Sequence, residues 1–241
     1  MDKKHTNNLT AKKVIKKLSN LRNVKKEKIL RRFFKTGKGE YGEGDIFWGI
    51  TVPETRAVVK ECADISLSEI PALVKHPVHE VRLAGLLLLV QLFPKHPKET
   101  YEMYIAHTKY INNWDLVDLS ADRIVGAYLE NKQKTLLTKF AKSDLLWERR
   151  IAMLATFHFI KQGNSEETLR IAKILLHDTH DLMHKAVGWM LREVGKRCDK
   201  QTLCDFLDVY SLEMPRTTLR YAIERLPEKK RLYYLKKEKI V

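Results

Sequence analysis

The sequence is short of cysteine and of uninterrupted apolar stretches, and each shortage excludes a class of protein. Three cysteines in 241 residues, Cys62, Cys198 and Cys204, are an odd number with no CxxC spacing. They provide neither a disulfide framework nor a four-cysteine zinc site, and are expected as small buried or half-buried hydrophobes. The longest apolar run, "AGLLLLVQLF" (84–93), lies between Arg82 and Lys95 and falls well short of the ~20 residues that span a bilayer. The N-terminal "MDKKHTNNLTAKK" has neither an apolar core nor a small-residue cleavage site, so no signal peptide is read, and a cytoplasmic protein with no membrane partner is expected. Alternation of apolar and polar residues over a strand length is also missing.

Positive charge is abundant. Lys and Arg number 45 against 30 Asp and Glu, a formal net charge of +15. Such an excess points to a polyanionic partner, of which nucleic acid is the commonest soluble one, although lysines that only keep a surface soluble give the same composition. The apolar share of 44% is that of an ordinary globular core.

Apolar residues recur at helical spacing through nearly every segment, as at Leu9, Val14, Ile15, Leu18 and Leu21, and again at Val81, Leu83, Ala84, Leu87, Leu88 and Leu92. The breakers Pro53, Pro71, Pro77, Pro94, Pro97, Gly163, Pro215 and Pro227 fall between these runs and leave helices of ordinary length. An all-α chain is predicted, as one domain over 1–241 with N-terminal basic helices at 8–35 and a Gly-rich loop at 36–45. A weak repeat adds to this. "RLAGL" from Arg82, "RIAML" from Arg150, "KAVGW" from Lys185 and "RYAIE" from Arg220 each begin on a basic residue, with steps of 35 from Arg150 to Lys185 and from Lys185 to Arg220. That period lies near those of HEAT-like helical pairs, which stack into a curved α-solenoid whose recurring basic residue would line the inner face as a stripe. One step before Arg150 stands Asp115, so "NNWDLVD" (112–118) puts acid and an aromatic where the stripe should be basic.

Asn113 is a good N-cap, placing Trp114 and Asp115 in a first helical turn, where the dipole favours a carboxylate by about 0.3–1 kcal/mol. Asp118 falls one turn beyond Trp114, so the ring and this carboxylate share a face from which Asp115 turns away. Taken alone, the pair reads equally as a core tryptophan beside a structural acid and as a functional site. In "HKAVGWMLREVGKR" (184–197) Gly188 permits a close approach beside Trp189, with Lys185 and Arg192 within a turn. Trp147 is followed by Arg149 and Arg150, which point apart on a helix, so that one can face a groove and the other solvent. Rings among cations suit nucleic acid, where aromatics contact bases or sugars and guanidiniums hold phosphates.

Two patterns are set aside. Gly37, Gly39 and Gly42 spell GxGxxG, yet a helix precedes them, not a strand, and Glu40, Glu43 and Asp45 would repel phosphate. His177, His180 and His184, with Asp178 and Asp181 nearby, have spacings that could hold a metal. They sit at an interhelix junction with Asp181 as the expected N-cap, and no metal is assigned.

The pieces "RRFFKTGKGEYGEGD", "GITVPETR", "NNWDLVD", "WERRIA", "HKAVGWMLREVGKR" and "MPRTTLRYAIERLP", in this order, resemble the AlkD-like DNA alkylation-repair glycosylases, a family of curved stacks of HEAT-like helical pairs. The resemblance covers most of the chain, with a longer stretch around Gly37 to Gly44 than some members have. It implies excision of cationic N3- and N7-alkylated purines from duplex DNA by hydrolysis of the N-glycosidic bond, without full base flipping and without a cofactor or metal. Asp118, Trp114 and Trp189 match the family's catalytic positions and Arg150 its cleft arginine. Thr51 and Arg56 are implied as N-terminal DNA contacts. The expected DNA-binding set is Arg150, Arg149, Lys185, Arg192, Arg216, Arg220 and Arg56, in a protein that acts as a monomer on double-stranded DNA. The rival expectation is a non-catalytic helical scaffold that binds nucleic acid or an acidic protein through the same stripe.

Overall fold

A computed structural model describes residues 9–237. Among them there is no strand, only one isolated bridge between Ile46 and Val78. The expected all-α class is observed. The chain divides into two compact units, 1–120 and 121–241.

The first unit contains α1 (Ala11–Ser19), α2 (Val24–Phe33), α3 (Val52–Glu61), α4 (Ile70–Val74), α5 (His79–Leu92), α6 (Pro97–Ala106) and α7 (Trp114–Asp118). The N-terminal basic helices thus lie within the expected 8–35, and residue 8 lies outside the described residues. Thr10 and Asn23 start α1 and α2 by accepting the N–H of Lys13 and Lys26, as N-cap oxygens do. The run 84–93 falls in α5 up to Leu92, with Phe93 as its C-cap; the helix is buried all round through Leu89 and so acts as the central helix of the unit. No helix among the described residues is long and apolar enough to cross a membrane.

Residues 36–45 form the expected loop of turns. The carboxylates of Glu40 and Glu43 accept the N–H groups of Gly37 and Gly39 at 2.8 and 2.7 Å. Two of the three GxGxxG glycines therefore already carry anions of their own chain, and Gly42 donates to the Lys35 carbonyl. Further on, Gly49 takes φ +77°, and a Cβ there would stand 2.1 Å from the Asn23 carbonyl, so the loop into α3 needs glycine both for its left-handed turn and for this approach.

The second unit opens on a π-helical turn (Asp122–Gly126) and continues through α8 (Thr135–Ala141), α9 (Leu146–Ala155), α10 (Phe157–Lys161), α11 (Glu166–Ile174), α12 (Asp181–Arg197), α13 (Lys200–Tyr210), α14 (Arg216–Ile223) and α15 (Glu228–Lys236). The 17-residue α12 is its centre and buries Met183, Ala186, Val187, Met190, Leu191 and Val194. The close approach expected at Gly188 is made by α14: an added Cβ would meet the Thr218 carbonyl and the Tyr221 Cβ, each at 2.5 Å. Gly188→Ala is accordingly expected to cost about 1–3 kcal/mol by overpacking, read as a lowered urea midpoint at unchanged m-value. Cys62 and Cys204 are buried and Cys198 half-buried, all as free thiols, in line with their reading as hydrophobes.

Candidate functional site

The local geometry at "NNWDLVD" follows its sequence. Asn113, extended at φ −152°, caps α7 by accepting the Trp114 N–H at 2.9 Å. From that start Trp114 and Asp118 share one half-exposed face, while Asp115, Leu116 and Val117 are buried. The Trp114 ring stacks on Phe34 (5.1 Å, 21°) and meets the edge of Phe33 (5.7 Å, 74°). Phe34 stacks in turn on Phe47 (5.0 Å) and Phe47 on His79 (4.4 Å). A column of rings thus runs from the half-exposed tryptophan into the core, fixing the indole plane.

Asp115 does more than the helix dipole explains. It is 4% exposed, and its Oδ2 accepts a hydrogen bond from His79 Nε2 at 2.9 Å, while His79 Nδ1 donates to Asp45 Oδ2 at the same distance. Arg82 completes the group, reaching Asp45 Oδ1 at 2.5 Å and Asn112 Oδ1 at 2.9 Å. Two cations and two carboxylates are therefore buried together without net charge. Burial alone would push the imidazole down, but the charges and hydrogen bonds of Asp115 and Asp45 overcome it and raise His79 to about 9. Burial likewise opposes ionisation of Asp45, and the bond from His79 with the charge of Arg82 outweighs it, leaving Asp45 below its ordinary value. Behind this group the Glu80 carboxylate, also buried, accepts the backbone N–H groups of Trp48, Gly49 and Ile50 at 2.8 to 3.1 Å. Sequence reasoning missed Asp45, His79 and Glu80. The only local hint was three ionisable residues, His79, Glu80 and Arg82, at the head of an apolar helix.

The expected basic stripe needs correction. Arg82 and Arg150 are each 5% exposed. Arg82 donates to the carbonyls of His76 and Pro77, and Arg150 to the carbonyl of Leu182 at 2.7 Å. With buried Asp115, they make three positions of this register serve internal bonding, because a buried charge persists only where it is bonded. Arg150 therefore offers almost no surface to a phosphate. Its neighbour Arg149 is also engaged, with Asp178 at 2.6 Å and the carbonyls of Ser143 and Asp144 at 3.0 Å. Arg192 pairs with Glu224 and half-buried Lys185 with Asp181 at 2.7 Å. Arg220 and Arg56 are exposed, as is Arg216, which donates to the Leu235 carbonyl at 3.2 Å. Of the expected DNA-binding residues, these last three present their charge outward.

Trp189 is half-exposed on α12 in the second unit, 6.0 Å from the ring of Phe157. Thr51 caps α3, donating its N–H and hydroxyl to Glu54 at 2.7 Å. At the histidine junction, the N-cap of α12 is His180 in place of the expected Asp181, its Nδ1 accepting the Leu182 N–H. His184 Nε2 donates to the Asp178 carbonyl. These two rings are aimed at the backbone and not at a common point, and the described residues contain no group of three or more potential metal ligands.

A family model described as DNA alkylation repair enzyme matches residues 14–226. Among solved structures, one described as a predicted DNA alkylation repair enzyme from Enterococcus faecalis is similar with a TM-score of 0.70. Its identity is 19%, over 86% of this chain and 97% of that one. At that identity the likeness speaks for the fold. No curated protein matches.

Proposed function

The chain belongs to the DNA alkylation repair enzyme family, and on that footing we propose that it excises cationic N3- and N7-alkylated purines from duplex DNA by hydrolysing the N-glycosidic bond. The observation that carries this reading is the division of labour within α7. Asp115 is buried in the core, whereas Asp118 stands with Trp114 on the half-exposed face. Asp118 is moreover the last residue of its helix, the end where the dipole least favours an anion, so the helix dipole gives no reason for a carboxylate there.

The chemistry suits such a pair. An alkylated purine already carries positive charge and leaves as a neutral base, so little acid catalysis at the base is needed. Charge builds instead on the sugar as the bond breaks. A carboxylate at Asp118 stabilises the oxocarbenium-like sugar and accepts a proton from the attacking water, as carboxylates do in glycoside hydrolysis. The Trp114 ring face favours the same developing cation, and the column of rings beneath it holds that face in place. Trp189 offers an aromatic surface for sugar contact in the second unit. Water, not a lysine, is the nucleophile, so the product is an abasic site in an uncut strand, and base excision repair consumes it.

The test is release of free base from methylated duplex DNA in EDTA, with unmodified duplex as control. Free 3-methyladenine and 7-methylguanine are expected, together with strand scission only after alkali. A folded protein that binds the duplex and releases no base would make the chain a scaffold, and activity lost in EDTA and restored by a divalent ion would overturn the metal-free reaction.

A further inference from the structure

The outward face of α2 takes no part in the fold or the site described above. The helix has no fully buried residue. Its inner side is held by half-buried Leu30, by the pair between Lys26 and Glu54 at 2.8 Å, and by Phe34 just past its end. With about 100° per residue, Lys25, Lys28 and Arg32 project within an arc of about 60° on the opposite side. All three are exposed. Among the described residues no carboxylate pairs with them: Glu27 lies 4.0 Å from Arg31, and the carboxylate of Glu40 is taken up by the Gly37 N–H and by Lys35. This contrasts with Arg149, Lys185 and Arg192, whose charge is compensated within the second unit. Exposed Ile29 and Phe33 lie at one edge of the ridge, and Phe33 meets Trp114. The ridge is thus one helix edge away from the face that carries Asp118.

We infer that Lys25, Lys28 and Arg32 form a phosphate-contacting ridge for duplex DNA beside the Trp114 and Asp118 face. The inference rests on the repair reading above. Uncompensated cations have a counterion atmosphere to exchange for phosphates and no internal partner to give up, so their binding energy is available to a polyanion. From Lys25 to Arg32 the ridge is about 10 Å long, against an axial spacing of about 3.4 Å per phosphate of one strand. Two or three consecutive phosphates are therefore within reach of its side chains. The contact is sequence-independent, because phosphates carry no base information, which suits a protein that must search undamaged DNA for a rare lesion. The apolar edge meets the sugar side of the same strand and directs it toward the tryptophan.

The test is the salt dependence of binding to an undamaged duplex, measured by fluorescence anisotropy with the full chain. The triple variant Lys25→Gln, Lys28→Gln, Arg32→Gln is expected to flatten the slope of log K against log[salt] by about 2 to 3, near 0.9 for each phosphate that is no longer neutralised. The charge-keeping variant Lys25→Arg, Lys28→Arg, Arg32→Lys should retain the slope. Neutralising exposed Lys12, Lys95 and Lys98 removes the same charge elsewhere and should change it by less than about 1 on that scale. If the triple variant is unstable, the three single variants, each expected to lower the slope by about 0.9, decide the matter. An unchanged slope in a triple variant whose wild type binds and excises overturns the ridge alone; equal flattening by the three control lysines reduces it to net charge and also overturns it. Loss of binding to phosphatidylserine vesicles with the DNA slope intact would assign the ridge to a membrane surface and overturn it as well. A wild type that binds no duplex overturns both this inference and the proposed function.

Discussion

Asp118→Asn is expected to slow excision of N7-methylguanine by roughly 10²-fold or more, the size of losing one electrostatic interaction made in the transition state. The substitution keeps shape and removes charge, so the folded protein and its thermal midpoint should change little. Duplex affinity should hold or rise, because a negative charge leaves a surface that approaches phosphates. N3-methyladenine, the more labile leaving group, should lose less rate than N7-methylguanine, since its bond breaks with less help from the carboxylate. Single-turnover measurement on both lesions separates these effects from product release. Asparagine that excises both lesions at the wild-type rate would make the carboxylate structural and give the scaffold reading the lead.

This position could be found in the sequence because everything that defines it is local. An N-cap, a first turn and an i, i+4 pair lie within the short stretch from Asn113 to Asp118, and helical geometry alone decides which side chains share a face. The same holds for the all-α class, since the apolar spacing that marks a helix is a local pattern, and for Gly188, whose missing side chain in an apolar helix announced a neighbour. What escaped was long-range. His79 joins Asp45, 34 residues before it, to Asp115, 36 residues after it, and no spacing rule couples such positions. The misreading of Arg82 and Arg150 has a related cause. Arginine is almost never buried without a partner, so a recurring arginine reads as surface, while the carbonyls that receive these two lie at the ends of other segments. For the same reason the sequence does not distinguish the unpaired cations of α2 from the paired ones of α9 and α12: pairing is a property of the packed chain.

Asp115→Ala is expected to destabilise the first unit by about 3–5 kcal/mol near neutral pH, far beyond the dipole contribution its sequence position suggests, because it leaves the buried imidazolium of His79 with one carboxylate in place of two. The expected pH dependence identifies the cause. His79 is raised from 6.5 to about 9 on folding, so its contribution is fully present below 6.5 and lost as the pH rises through about 9, an effect on the order of 3 kcal/mol. Asp45 is lowered from 3.8, so its contribution is present above that value and lost as the pH falls through the depressed one. The wild type should therefore be most stable between about pH 4 and 6.5 and weaken on both sides. Asp115→Asn keeps the hydrogen-bonding shape but removes the charge that raises His79, and should shrink the alkaline loss while sparing the acid one, in urea titrations followed from about pH 4 to 10. Because Asp115 lies in the same short helix as Trp114 and Asp118, losing its bond to His79 loosens one of the anchors of α7, and excision should fall with Asp115→Ala even where the protein remains folded. A variant with wild-type stability, or one whose alkaline limb is unchanged, would mean that the charge of Asp115 does not stabilise a protonated His79 in the folded state.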